Sequence, residues 1–498
     1  MPWIKEEKLY LVLVLLLIFS MAVRMPMDSD MWWHLKAGEA TLASGNIYRT
    51  DTFSSTRTGV SWINHSWLSQ VLMAFLLRVG KFTALSIWVG VCAVVSLGLV
   101  FLQMDGHPLL RGAVLILAAM VSSVVWSPRP QIMSLVLLSL VSWILFSYRN
   151  NRKRIYLVGI PLIFALWGNL HAGYVLGLIY LGAFICGELL DKILLRDDKE
   201  GLSWKEIGIV ALSTLLGFVL VIANPFGLAM WKIPFNTIGI ETLQNLINEW
   251  ASPDFHQAFQ QPILWMLLGL VGALGISGKT LRGYRLIPIL FFAWAALVAR
   301  RNFGPFAIVS APALAEQLSS VLGTWITKAR TSFPAIEKIF QSAERSKQDF
   351  NPTVRNLLNA ALIMLLLAVG VVKTVQVNRP ELVSRTEREI YPAGAVEWFK
   401  TQEQSFRVFN DYNWGGYLIY HLPEVPVFVD GRTDLYGDEI LNDYLAVMQV
   451  EDNWEEVLQK YSLNMLLLRK DSCLSRNAIL QGWTVVYRDE LAVLLRSK

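Results

Sequence analysis

Long apolar runs, each close to the length that crosses a bilayer, recur through the first three quarters of the chain. No other feature restricts the fold as strongly. Inside hydrocarbon every backbone amide must bond within the protein, so runs of about 18 or more apolar residues become helices. We place eleven spans, at 8–24, 82–103, 109–126, 131–148, 155–169, 172–190, 206–223, 262–276, 285–299, 304–322 and 355–375. The apolar stretch 67–79 is only about 13 residues long, short for a span, and reads as a helix lying at the interface. A mean hydropathy of +0.43 and 54% hydrophobic residues fit a mainly α polytopic membrane protein. The first run is followed by Arg24-Met25-Pro26 rather than a small-residue cleavage site, which predicts an uncleaved span.

The basic residues then set the sidedness. A net charge of +5 is modest and is gathered in short loops, a pattern that reports topology and not nucleic-acid binding. Loops 149–154, 192–205 and 279–285 and the stretch 328–355 must be cytoplasmic, and the eleven-span count puts all four inside with the N-terminus. The expectation is an integral plasma (inner) membrane protein. Segment 323–353 is polar and lacks a visible core. Beyond about residue 380 the composition changes, and 407–410, 427–430, 465–468 and 484–487 read as short buried strands, with helices at 437–450 and 454–461. The chain therefore divides into a membrane part, 1–378, and a small extracytoplasmic α/β domain, 379–498. Cys92, Cys186 and Cys473 form no disulfide or metal pattern. No inverted halves of the transporter kind are visible.

The same topology collects the unusual polar groups outside, in loops 25–81, 127–130, 169–171, 224–261 and 300–302. Where the chain leaves its first span it reads Met27-Asp28-Ser29-Asp30-Met31-Trp32-Trp33-His34. Charges beside hydrocarbon are costly and usually functional. On a helix Asp30 and His34 are i and i+4 and share a face, so they could hold a metal, share a proton or activate a hydroxyl. Arg129 lies between Pro128 and Pro130, and His171, Arg300 and Arg301 sit at span ends. An arginine fork suits phosphate; headgroup anchoring is the other reading.

Asp30-Met31-Trp32-Trp33-His34-Leu35-Lys36 resembles the Asp-x-Trp-Tyr-His-Leu-Arg segment of oligosaccharyltransferases, which belong to the GT-C superfamily of polyprenyl-phosphate-dependent glycosyltransferases. The likeness continues through 45–54, Gly59, Trp62 and Asn64-His65-Ser66-Trp67-Leu68. Asn410-Asp411-Tyr412-Asn413-Trp414-Gly415-Gly416 and Val429-Asp430-Gly431-Arg432 are similar in residue types to the Trp-Trp-Asp-Tyr-Gly segment of the family's soluble domain. The resemblance implies a GT-C-like fold. It implies that Asp30 is the essential acid, that Asp28 and His34 assist, and that Asp28 and Asp30 would be the ligands of a divalent cation, Mg or Mn, if one is used. Glu249 matches the acid of a later external loop; a Glu on a helix surface is its other reading. His65, His171, Arg129, Arg300 and Arg301 would bind substrate or phosphate.

The implied reaction moves a sugar, with inversion, from a polyprenyl-phosphate donor in the surrounding membrane lipids to a hydroxyl on a lipid, glycan or protein. The departure is at 127–131, where the family carries a second acidic pair and this chain carries an arginine. Peptide transfer therefore does not follow. Two other functions stay open: a transporter or flippase of a lipid-linked or anionic solute, and a non-enzymatic envelope assembly protein.

Overall fold

The computed structural model describes residues 6–195, 200–240, 242, 247–335, 337–338, 351–404 and 406–497. Each of the eleven expected spans is a helix. In chain order the helices are α1 (Glu6–Ala22), α2 (Met31–Ser44), α3 (Trp67–Phe101), α4 (Pro108–Ser122), α5 (Gln131–Asn151), α6 (Ile155–Leu170), α7 (Tyr174–Leu194) and α8 (Trp204–Leu220). They continue as the short α9 (Ile233–Ile238), then α10 (Gln261–Ser277), α11 (Gly283–Val298), α12 (Phe303–Ser332) and α13 (Pro352–Val377). Seven helices are long and apolar enough to cross a membrane; α6 and α11 are shorter apolar helices, and α1 and α8 have 17 residues each. The protein is thus an integral membrane protein of mainly α class.

Local signals set the ends. Pro108 starts α4 behind His107, whose ring accepts from Leu109 N, and Ser203 with Glu206 closes a capping box on α8. The apolar run 67–79 and the span at 82 are joined in α3 but separated by a break, where Gly80 and Lys81 leave helical geometry and Lys81 takes φ 52°. The two stretches are therefore distinct rods, as their separate lengths suggested. α12 runs deepest: its residues from Phe303 to Ala315 are all buried. α13 buries only Gly370 and Thr374 among its residues and leaves its apolar faces outward. The 323–353 stretch, expected to be polar and without a core, is helical as far as Ser332; residues 336 and 339–350 of it lie outside the described residues.

Ion pairs gather the basic loops at one end of the bundle. Arg149 meets Glu188 at 2.7 Å, Arg152 meets Glu206 at 3.4 Å, Arg282 meets Asp191 at 3.4 Å, and Arg285 pairs with Glu316. Loops 149–154, 192–205 and 279–285 therefore share a face, as their charge requires; residues 196–199 are not among those described. The segments that join α1 to α2, α4 to α5, α6 to α7 and α11 to α12 lie at the helix ends opposite these loops.

After α13 come α14 (Pro380–Ile390), α15 (Ala393–Lys400), α16 (Gly415–His421), α17 (Thr433–Gln449), α18 (Trp454–Lys460) and α19 (Cys473–Leu480). They surround a sheet ordered β1-β2-β4-β3, of β1 (Val408–Asn410), β2 (Met465–Arg469), β3 (Thr484–Arg488) and β4 (Ala492–Arg496). β1 and β2 are parallel and the other pairs antiparallel. β4 was not expected. Conversely 427–430 is not a strand of this sheet. The Asn410 side chain takes Phe428 N at 2.8 Å and gives to Val429 O at 2.9 Å, using the groups that a ladder would need. Val427 pairs instead with the segment after α2: its N–H donates to Phe53 O at 3.0 Å, and its carbonyl accepts from Ser55 N at 2.8 Å.

Candidate functional site

Asp30 is the residue before α2, but its carboxylate does not cap the helix. It turns away to Arg129, whose Nη1 donates to Asp30 Oδ2 at 2.8 Å. Asp28 folds back in the same turn: its Oδ1 accepts from Asp30 N at 2.9 Å, and its Oδ2 lies 3.2 Å from Arg129 Nε. Glu249 arrives from a single helical turn, Asn248–Trp250, and takes Arg129 Nη2. Arg129 itself is held by flanking prolines, by its own N–H on Ser127 O at 2.8 Å and by Nε on Ser127 Oγ at 3.0 Å. Three carboxylates from two distant segments thus meet on three nitrogens of one guanidinium.

The charges in this cluster hold one another. Burial pushes Asp30 up to about 6, with Asp28 and Glu249 adding to the rise and Arg129 opposing it. Burial would raise Glu249 too, but Arg129 and Arg301 hold it below the usual range. Arg129 stays well above its ordinary value, because its three acids outweigh its burial. Of the four carboxylate oxygens on Asp28 and Asp30, Asp30 Oδ1 is the one that no donor among the described residues reaches. It faces Gly431: a Cβ there would fall 1.9 Å from Oδ1 and 3.0 Å from Trp33 Nε1. Gly416 stands as close to Ser29 O, at 2.3 Å from a Cβ built there. Two glycines of the sheet-bearing part therefore let its backbone close over Asp30.

The other expected residues fall around this cluster with different partners. His34 bonds Asp30 through the backbone alone, its N–H on Asp30 O at 3.2 Å, and not through its ring. Its ring lies against Trp33, with centroids 3.5 Å apart, and Nδ1 is 3.2 Å from Gln70 Nε2, because Gln70 is fixed in turn by Asn64 at 2.6 Å. His171 Nδ1 accepts from Gly173 N at 3.0 Å and meets Ser134 Oγ at 2.8 Å, which leaves the ring proton on Nε2. His65 meets Ser66 Oγ at 2.8 Å and faces His171 with ring centroids 6.1 Å apart. Burial lowers all three histidines, so they stand neutral. Arg300 binds Asn248 O and so anchors the turn that carries Glu249. Arg301 lies over Trp250, 4.4 Å from the ring centroid, and has no hydrogen bond or ion pair among the described residues. Asn245 and Leu246, part of the segment read together with Glu249, lie outside the described residues.

The sequence reading missed Arg432. Its fork binds both oxygens of Asp430 at 2.8 and 2.6 Å and Asp51 Oδ1 at 2.5 Å, and all three side chains are fully buried. This ties the segment after α2 to the sheet-bearing part. The Asp-Gly-Arg string was visible, but nothing in it named Asp51, 381 positions away.

No protein-family profile matches the chain, and no curated protein matches it in sequence. Solved structures do match in fold. The archaeal oligosaccharyltransferase AglB from Archaeoglobus fulgidus, in complex with an inhibitory peptide and a dolichol-phosphate, is similar over 94% of this chain and 70% of its own, with a TM-score of 0.57 and 13% identity. The apo form of the Archaeoglobus fulgidus enzyme gives 0.52 at 12% identity. ArnT from Cupriavidus metallidurans, bound to undecaprenyl phosphate, also gives 0.52 at 12% identity, covering 97% of both chains. The chain thus shares the fold of these structures over most of its length, as the first-loop resemblance implied.

Proposed function

We propose that this protein is a glycosyltransferase that takes its sugar from a polyprenyl-phosphate-linked donor and gives it to an extracytoplasmic hydroxyl. The carrying observation is Asp30, a carboxylate raised to about 6 with one oxygen that no donor among the described residues reaches, beside the Arg129 guanidinium. A base of that strength is ionised at neutral pH and still able to take a proton. In a single displacement Asp30 Oδ1 accepts the hydroxyl proton as the acceptor oxygen attacks the anomeric carbon. The bond from that carbon to the phosphate oxygen breaks, its electron pair leaves with the phosphate, and the configuration inverts. Arg301, which has no hydrogen bond or ion pair among the described residues, is the cation for the departing phosphate, and the His171 Nε2–H is a neutral donor beside it. Asp28 orients Asp30 through its backbone N–H. The polyprenyl phosphates in the neighbouring structures support a donor of this class.

The test is turnover by purified protein given a labelled polyprenyl-phosphate sugar. Asp30→Asn should lower release of polyprenyl phosphate by at least about a hundredfold with an unchanged unfolding temperature. Near-normal turnover in a folded Asp30→Asn protein removes the assignment. Sidedness follows from the basic loops: the N-terminus is cytoplasmic and the sheet-bearing part outside. Cysteines at positions 130 and 490 should label from outside the cell and one at 153 should not; the reverse pattern rejects this orientation.

A further inference from the structure

Arg129 departs from what the first-loop resemblance implied, and its surroundings explain how the chain manages the departure. Oxygen ligands of a hard divalent cation converge on one point at about 2.0–2.6 Å. Here the oxygens of Asp28, Asp30 and Glu249 converge on a guanidinium, each on a different nitrogen. Among the described residues no group of three His, Cys, Asp or Glu is arranged to hold a metal ion. The arginine is built in: two prolines flank it, and its main chain and Nε are both fixed by Ser127. An added divalent ion would find the oxygens that face the centre of the cluster already engaged and a fixed positive charge there.

We propose that Arg129 is a resident cation standing where a divalent ion would otherwise gather these three acids. It is a positioning residue, holding Asp30 by Oδ2 and leaving Oδ1 without a donor among the described residues. The orientation of Asp30 then does not depend on any ion supplied from solution. The catalytic consequence rests on the transferase reading; the occupancy of the acidic cluster does not.

Full-length protein, stripped with chelator and kept in detergent, is titrated with Mn2+ and followed by electron paramagnetic resonance. Wild type should show no bound Mn2+ that Asp30→Asn abolishes. Arg129→Gln, which keeps a polar side chain but removes the charge, should gain one Mn2+, with affinity raised at least about tenfold, and its unfolding temperature should rise with Mn2+. One Mn2+ in wild type that is lost in Asp30→Asn overturns the proposal, and so does a folded Arg129→Gln protein that gains none. If Arg129→Gln does not fold, the wild-type and Asp30→Asn pair still decides. Any glycosyl transfer measured should survive chelator in wild type. Absence of transfer from every protein would count against the enzyme reading and leave the Mn2+ result standing.

Discussion

Arg432 and Arg129 are both ringed by acids, and they differ in how completely the ring is closed. Around Arg432 the charges are sealed. Arg432, Asp430 and Asp51 have no exposed side-chain surface. Asp51 accepts from Phe53 N, Ser54 N and Ser54 Oγ as well, and Tyr436 donates to Asp430 at 2.5 Å. Arg129 has one acid more, yet its acids keep 14%, 23% and 34% of their side-chain surface, and Asp30 retains a free oxygen. A closed ring fixes the junction of two chain segments. An open ring with surplus negative charge can still react. On the proposed function, the difference separates structural from chemical use of the same residue types.

The strongest way to break the comparison is to open the closed ring. Arg432→Met leaves two buried carboxylates without their cation and should cost about 3–5 kcal/mol of stability, read as a lower unfolding temperature in detergent. A loss under about 1 kcal/mol would mean that this ring is no more structural than the other. Gly431→Ala works on the open ring. Its methyl must displace Asp30 Oδ1, and a shift of that size should lower transfer about tenfold to a hundredfold. Normal activity would show that Oδ1 is not the reacting atom. The mildest test is pH. The groups acting on Asp30 are Arg129, which pulls it down, and Asp28 and Glu249, which push it up; the Tyr412 hydroxyl feels Asp30 in turn. Transfer should rise with pH through about 6 as Asp30 ionises. Glu249→Gln removes one of the upward pushes and should move that midpoint to lower pH. A midpoint that stays in place would mean that another group is titrating.

Much of this was legible because it depends on local chemistry. Hydropathy located the spans, since a bilayer imposes one length on every helix. The first-loop acids, Arg129 and Glu249 were each named from the chain alone, and they do meet. Their pairing was not legible. The i, i+4 rule put His34 with Asp30, yet Asp30 sits ahead of the first turn and faces another way, while Gln70 from α3 takes the histidine. Arg129 was expected to wait for phosphate, because its acids come from segments 99 and 120 positions away. The 427–430 stretch looked like a sheet strand because it is apolar and extended. Its ladder groups are taken instead by the Asn410 side chain and by the backbone of Phe53 and Ser55, which no periodicity reports.

The pairing of Val427 with Phe53 and Ser55 has a consequence for biogenesis. The segment that carries Asp30 is synthesised early, and its backbone partners far later in the chain. Until residues 427–432 arrive, Asp51 lacks its arginine and Asp30 lacks the glycine that covers it. A chain that stops short of these residues therefore lacks both the partner of Asp51 and the cover over Asp30.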